Sequence, residues 1–307
     1  MNAPASLRAL LERSIDYAGL FPPASLPLEP ALKNHAAYVR SADASMLGAF
    51  ILPIAQFDAA SAMLEQFDAQ HPIHISALAP KTDNPDAFRA AVDRATRAIH
   101  ALLQSYSDRA SVTQLEMPLP PGGDAQLLAG ARELLESLPA FWEAPADAAE
   151  RTVAMLAEHN SAVSAGARPF GFKLRTGGVT ADAFPSSTQI ARALVASAKH
   201  HVPIKFTAGL HHPVRQFHST VETKMHGFLN VLGAAALAVE HGWDEKQTAE
   251  MLDDEDASAF RFDADAFSWR DASIGTDQIR VRRELVTSLG SCSFDEPRED
   301  LRVLNLL

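Results

Sequence analysis

The strongest constraint in this sequence is an alternation. Short apolar runs that end at proline or glycine are separated by stretches with helical spacing. The runs are Tyr17–Phe21, Ala49–Leu52, Ile73–Leu78, Val112–Met117, Phe141–Glu143, Phe170–Arg175 and Ile204–Thr207. Six are followed closely by Pro22, Pro53, Pro80, Pro118, Pro145 and Pro213. Proline cannot donate to a sheet ladder and biases the residue before it to extended backbone, so it marks strand ends. Between runs, Asn84-Pro85 reads as a helix cap and first position, with Phe88, Val92, Ala95, Ile99 and Leu102 on one face. Leu127, Leu128, Ala131, Leu134 and Leu135 repeat the pattern, and Ser186 with Gln189 suits a capping box before Ile190 and Leu194.

Strands alternating with helices at a spacing of roughly 30 residues specify an α/β fold, a (β/α)8 TIM barrel. An open doubly wound sheet is the alternative, but it would usually carry a Gly-rich phosphate turn after an early strand. The eighth unit is the ambiguous one. Gly227–Ala238 reads as one buried helix, which makes Ala259–Phe262 the eighth strand and Gln278–Leu289 the eighth helix; a strand near residues 228–232 is the other choice. A short N-terminal helix around Ser6–Arg13 is expected to cover the barrel bottom. The chain reads as a single domain over 1–307, with an ordered C-terminal extension from about 290 to 307. Phe294, Leu301, Val303, Leu304 and Leu306 are too apolar for a free end, so Ser291–Pro297 should pack on the barrel.

Composition narrows the function. The 307 residues are 47 % apolar and carry a net charge of −11, which argues against a general nucleic-acid or anionic-membrane binder. The single cysteine, Cys292, excludes an internal disulfide framework and reads as structural. No apolar run approaches a membrane span of about 20 residues. The first eight residues show no secretory pattern. A cytoplasmic protein is the expectation, with homo-oligomerisation left open.

In this fold the chemistry belongs at the C-terminal ends of the strands. There the sequence offers Gln114 and Glu116, Glu143, Lys173 and Arg175, Lys205 and Thr207, then His211 and His212 in a loop; the first run offers Asp16 and Tyr17. Lysine is almost never fully buried unless paired, yet two consecutive strands carry one mid-run. Each glutamate alone could be a structural partner of Lys173. From Ala167 to Met225 eight Lys and Arg face two acids. This basic sector suits an anionic small molecule, and Thr176, Gly177 and Gly178 could lend backbone N–H groups. His211-His212 is a weak metal pair, because adjacent extended residues point apart. His218 and His226 read as loop residues.

The stretches Phe172-Lys-Leu-Arg-Thr-Gly-Gly178 and Ile204-Lys-Phe-Thr-Ala-Gly209 resemble class I (Schiff-base) aldolases of the deoxyribose-phosphate aldolase type. Those barrels carry an imine-forming lysine on strand six, in a Lys-x-Thr-Gly-like setting, and a second lysine on strand seven before glycines. The resemblance implies that Lys173 forms the imine, Lys205 is the cation that lowers its pKa, and Glu116 or Glu143 shuttles protons. It covers about 40 residues. Arg175 replaces a small residue, the second motif runs on into Gly209-Leu-His211-His212, and the chain is longer than the compact aldolases.

Three readings follow. The first is a lyase acting on an anionic carbonyl metabolite through a lysine imine, with no cofactor. Its catalytic residues are Lys173, Lys205, Glu143 and Glu116, and its substrate-binding residues are Arg175, Thr176, Gly177, Gly178, Thr207, Gly209, His211 and His212. The second is an enolising isomerase or dehydratase in which both glutamates hold a divalent metal; hydrolysis at a metal held by His211, His212 and an acid is a weaker variant. The third is a non-enzymatic binder of a small anion. The imine reading makes a geometric demand. A free lysine titrates near about 10.4, so Lys173 should lie closer to Lys205 than to either glutamate. A tight ion pair to a glutamate would favour the other readings.

Overall fold

A computed structural model describes residues 3–163 and 167–307; Met1 and Asn2, part of the N-terminal segment considered above, lie outside the described residues. Among the described residues, parallel strands close an eight-stranded barrel. The strands are Ile15–Tyr17, Leu47–Pro53, Ile73–Leu78, Ala110–Pro118, Ala140–Glu143, Gly171–Arg175, Ile204–Thr207 and Val286–Ser291. The first strand pairs with both the second and the eighth, so the ring is complete. This is a (β/α)8 TIM barrel, as the alternation requires.

The helices follow the same local rules. Asn84 caps Pro85–Tyr106 by accepting from the Ala87 N–H at 2.9 Å, and the expected face is buried. Ser186 and Gln189 form the capping box of Ser187–His200. Phe228–His241 is one helix, buried over most of its length. The N-terminal helix Ala5–Leu11 precedes the first strand and packs on helix Thr276–Arg282.

The eighth unit differs from the sequence expectation. Phe260–Phe262 is a strand, but it lies in a separate antiparallel sheet with Ala266–Trp269 and Ala272–Gly275. The true eighth barrel strand is Val286–Ser291, which begins within the segment read as a helix and runs into the expected extension. Its sequence, Val-Thr-Ser-Leu-Gly-Ser, is weakly apolar for a reason. Ser288 donates to Asp16 at 2.7 Å in the barrel interior, and a Cβ on Gly290 would lie 3.0 Å from Ile51 Cδ1. The supposed extension is therefore the end of this strand plus helix Asp295–Val303. It packs as expected through Phe294 and Leu301, both fully buried, whereas Val303 is exposed. No helix among the described residues is long and apolar enough to cross a membrane.

One core residue carries a pH prediction. His35 is fully buried, both ring nitrogens lack partners among the described residues, and the ring stacks 6.1 Å from Tyr17. Burial, helped by His74, pushes it down to about 3. The unfolded chain therefore takes up a proton near pH 6.5 that the folded chain refuses. Stability should fall by about 1.4 kcal/mol per pH unit as pH drops from 6.5 toward 3. Urea titrations at pH 7 and 4.5 should show this loss, and His35→Phe should remove most of it.

Candidate functional site

Strand parity and register assemble the site. Glu143, Lys173 and Lys205 are paired side by side across strands five, six and seven. Lys173 Nζ lies 2.8 Å from Glu116 Oε2 and 3.0 Å from Glu143 Oε2. Lys205 Nζ donates to Asp16 Oδ2 at 2.8 Å and also to Glu116 Oε1. Glu116 thus bridges the two ammonium groups. Arg175 Nε reaches Glu143 Oε1 at 3.4 Å, so three carboxylates face three cations.

The sequence demand on Lys173 is not met, and this is a correction. The amine is ion-paired to both glutamates, and Glu116 stands between it and Lys205. The alternation of side chains along strands four to seven turns acids and lysines alike inward, where charges survive only when paired. Burial opposes the ionised form of Glu116, but the two ammonium groups overcome it and hold the carboxyl well below the usual range. Burial likewise opposes the Lys205 cation, and Asp16 with Glu116 outweighs it and raises that group. Lys205 is fully buried and stays charged.

Above the cluster opens a cavity of about 340 Å³, lined by Lys173, Arg175, Gly178, Thr207, Gly209 and His211 among the expected residues. Glu116, Glu143 and Lys205 sit outside its lining. Thr176 has a different part: its hydroxyl donates to the Ala208 carbonyl at 2.6 Å and ties two loops together. Gly177 and Gly209 let these loops touch. A Cβ on Gly177 would lie 2.8 Å from the Gly209 Cα, and Gly209 has φ of +76°.

The adjacent histidines diverge. His211 lines the cavity, and its Nδ1 lies 3.2 Å from Glu296 Oε2 and 3.8 Å from Cys292 Sγ. Burial disfavours its charge, yet Cys292 and Glu296 push it up to about 9, so it is a cation at neutral pH. His212 turns away from the cavity to Asp300 Oδ2 at 2.6 Å and stacks on His218. His226 is buried and donates through Nε2 to the Pro185 carbonyl at 2.7 Å. Neither His212 nor His226 joins the lining of the cavity.

Sequence reasoning offered Asp16 only as a strand-end candidate, gave Ser76 and Ser288 no role and read Cys292 as structural; all four contribute. Asp16 anchors Lys205, and its Oδ1 accepts the Ala49 N–H at 2.7 Å. Only a glycine at position 48 permits this approach, since a Cβ there would lie 2.2 Å from Asp16 Oδ1. Ser76 donates to Glu116, and Ser288 to Asp16. Cys292, read as a tail residue, lines the cavity.

The glutamates do converge, as the metal reading asks, but on the Lys173 ammonium. Among the described residues no group of three or more His, Cys, Asp and Glu is placed to hold a metal ion. No family model matches this chain, and no curated protein matches it.

Proposed function

We propose that this protein is a lyase of the class I aldolase kind, acting on an anionic carbonyl metabolite through an imine on Lys173. One observation carries the reading: among the described residues, Lys173 is the lysine that lines the cavity, and two carboxylates lie within 3.0 Å of its Nζ. Lys205 is sealed below and locked as a cation, which makes it a positioning residue.

The resting ion pair changes the expected mechanism. A proton must leave Nζ before the amine can attack, and a carboxylate in contact is a natural acceptor. Glu143 suits this task better than Glu116. Its side chain is 17 % exposed, against 0 % for Glu116, which Lys205 continues to hold as an anion. In the forward sequence Nζ passes a proton to Glu143 and attacks the carbonyl carbon. The carbinolamine hydroxyl regains that proton and leaves as water, giving a protonated imine. Glu143, again a carboxylate, takes the β-hydroxyl proton as the Cα–Cβ bond breaks, and the electron pair of that bond flows to the imine nitrogen. A carbonyl product and an enamine result. Protonation at carbon and hydrolysis by water then free the second product and Lys173. Arg175 and the His211 cation hold the substrate anion.

The ion pair also bears on the other readings. A lysine flanked by two carboxylates presents no net positive charge, so it is a poor anion clamp. Glutamates already engaged with ammonium groups must give these up before taking a metal. By the criterion set from the sequence the ion pair itself weighs toward these readings; what keeps the imine reading ahead is that Lys173 lines the cavity with a carboxylate in contact to take its proton.

The test is reduction with borohydride in the presence of a panel of carbonyl acids and sugar phosphates, followed by peptide mass mapping. A reduced adduct on the peptide carrying Lys173 is the expected result. Ligands that bind without any adduct at Lys173 would overturn the reading.

A further inference from the structure

We infer that the substrate is a β-hydroxy oxo acid whose remaining chain is hydrocarbon and not a polyhydroxylated sugar phosphate; this rests on the imine reading above. The cavity wall is divided by barrel position. Its polar side chains, Lys173, Arg175, Thr207, His211 and Cys292, come from strands six to eight and the segments after them. Strands one to three and the turn after strand one supply Phe21, Pro22, Pro23, Ile51 and Leu78. Each set is contiguous in the ring, so the two sets form separate walls.

A carbonyl carbon at Lys173 with its anion at Arg175 and His211 occupies the polar wall. The rest of the molecule then lies against the apolar one. That wall has no side-chain donor or acceptor, and its two prolines lack even a backbone N–H. Sugar hydroxyls placed there would lose water without gaining partners. A hydrocarbon gains instead, by about fourfold in affinity per buried CH2. The volume of about 340 Å³ lies at the low end for small-ligand sites, which limits the chain to a short one.

Two measurements separate this inference from the reading beneath it. Reductive trapping compares pyruvate, 2-oxobutanoate, 2-oxopentanoate and 4-methyl-2-oxopentanoate with dihydroxyacetone phosphate and ribose 5-phosphate. Calorimetry follows the binding of saturated carboxylates from propanoate to hexanoate, which cannot form an imine. The expected result is Lys173 trapping that improves with chain length, carboxylate affinity that rises in parallel, and a long-to-short preference that drops about tenfold in Leu78→Ser. Trapping that favours the phosphorylated polyols overturns the substrate class and keeps the imine. Chain-length-dependent carboxylate binding without trapping overturns the imine and keeps the class. Carboxylate affinity that is flat with chain length overturns the class outright.

Discussion

Lys173→Arg should abolish adduct formation, and Glu143→Gln should slow it by about 10²- to 10⁴-fold, the usual contribution of a positioned proton carrier. Arginine keeps a cation between Glu116 and Glu143, so the fold should survive, but a guanidinium that never deprotonates cannot attack a carbonyl. Glutamine at 143 keeps the size of the side chain and removes the acceptor for the Nζ proton. Melting temperatures near wild type would show that both variants are folded, and rapid-quench trapping would read the rate. An unchanged rate in Glu143→Gln would move the proton transfer to another group and remove Glu143 from the mechanism.

The legible part of the site was the part that breaks a pattern. A lysine in the middle of Phe-Lys-Leu or Ile-Lys-Phe conflicts with its apolar neighbours, and strand parity then places Glu116, Glu143 and Arg175 beside it. Asp16 was a strand-end candidate without a role, because its strand is three residues long and ends where the apolar run was taken to begin, which hid its pairing with Lys205. Ser76 and Ser288 are small hydroxyls whose role depends wholly on what lies opposite. Cys292 escaped with the eighth strand, since Phe260–Phe262 is the more apolar segment and strand propensity says nothing about which sheet a strand joins. Glu296 and Asp300 sit on a highly charged helix that reads as solvated surface. What sequence could not fix was the pairing: the two lysines are register neighbours, as expected, but Glu116 bridges their ammonium groups.

Lys205→Met should cost about 3–5 kcal/mol of folding stability, the range for removing one partner from a buried ion pair. Methionine fills much of the volume, so the loss is mainly electrostatic. Asp16 keeps the Ala49 N–H and the Ser288 hydroxyl, and Glu116 keeps Lys173, but the cluster gains one uncompensated negative charge. Chemical denaturation should show the loss at pH 7. Adding Asp16→Asn should restore part of it, because the second substitution removes the orphaned charge. A Lys205→Met protein as stable as wild type would mean that the buried pairs contribute nothing to stability. A slower adduct rate in the rescued double variant would separate the effect of Lys205 on chemistry from its effect on folding.

The hydroxyl that satisfies Asp16 is 272 positions further along the chain, and the carboxylates that meet His211 and His212 come later still, at 296 and 300. During synthesis on the ribosome, the first strand therefore emerges long before its partners exist. A nascent chain that stops short of residue 286 has an open barrel, with Asp16 facing water where Ser288 should close over it. The Lys173 site is consequently assembled only after the eighth strand, Val286–Ser291, has been synthesised. Fragments released early carry Lys173 but neither the closed barrel nor the clamped loop that would let it meet a substrate.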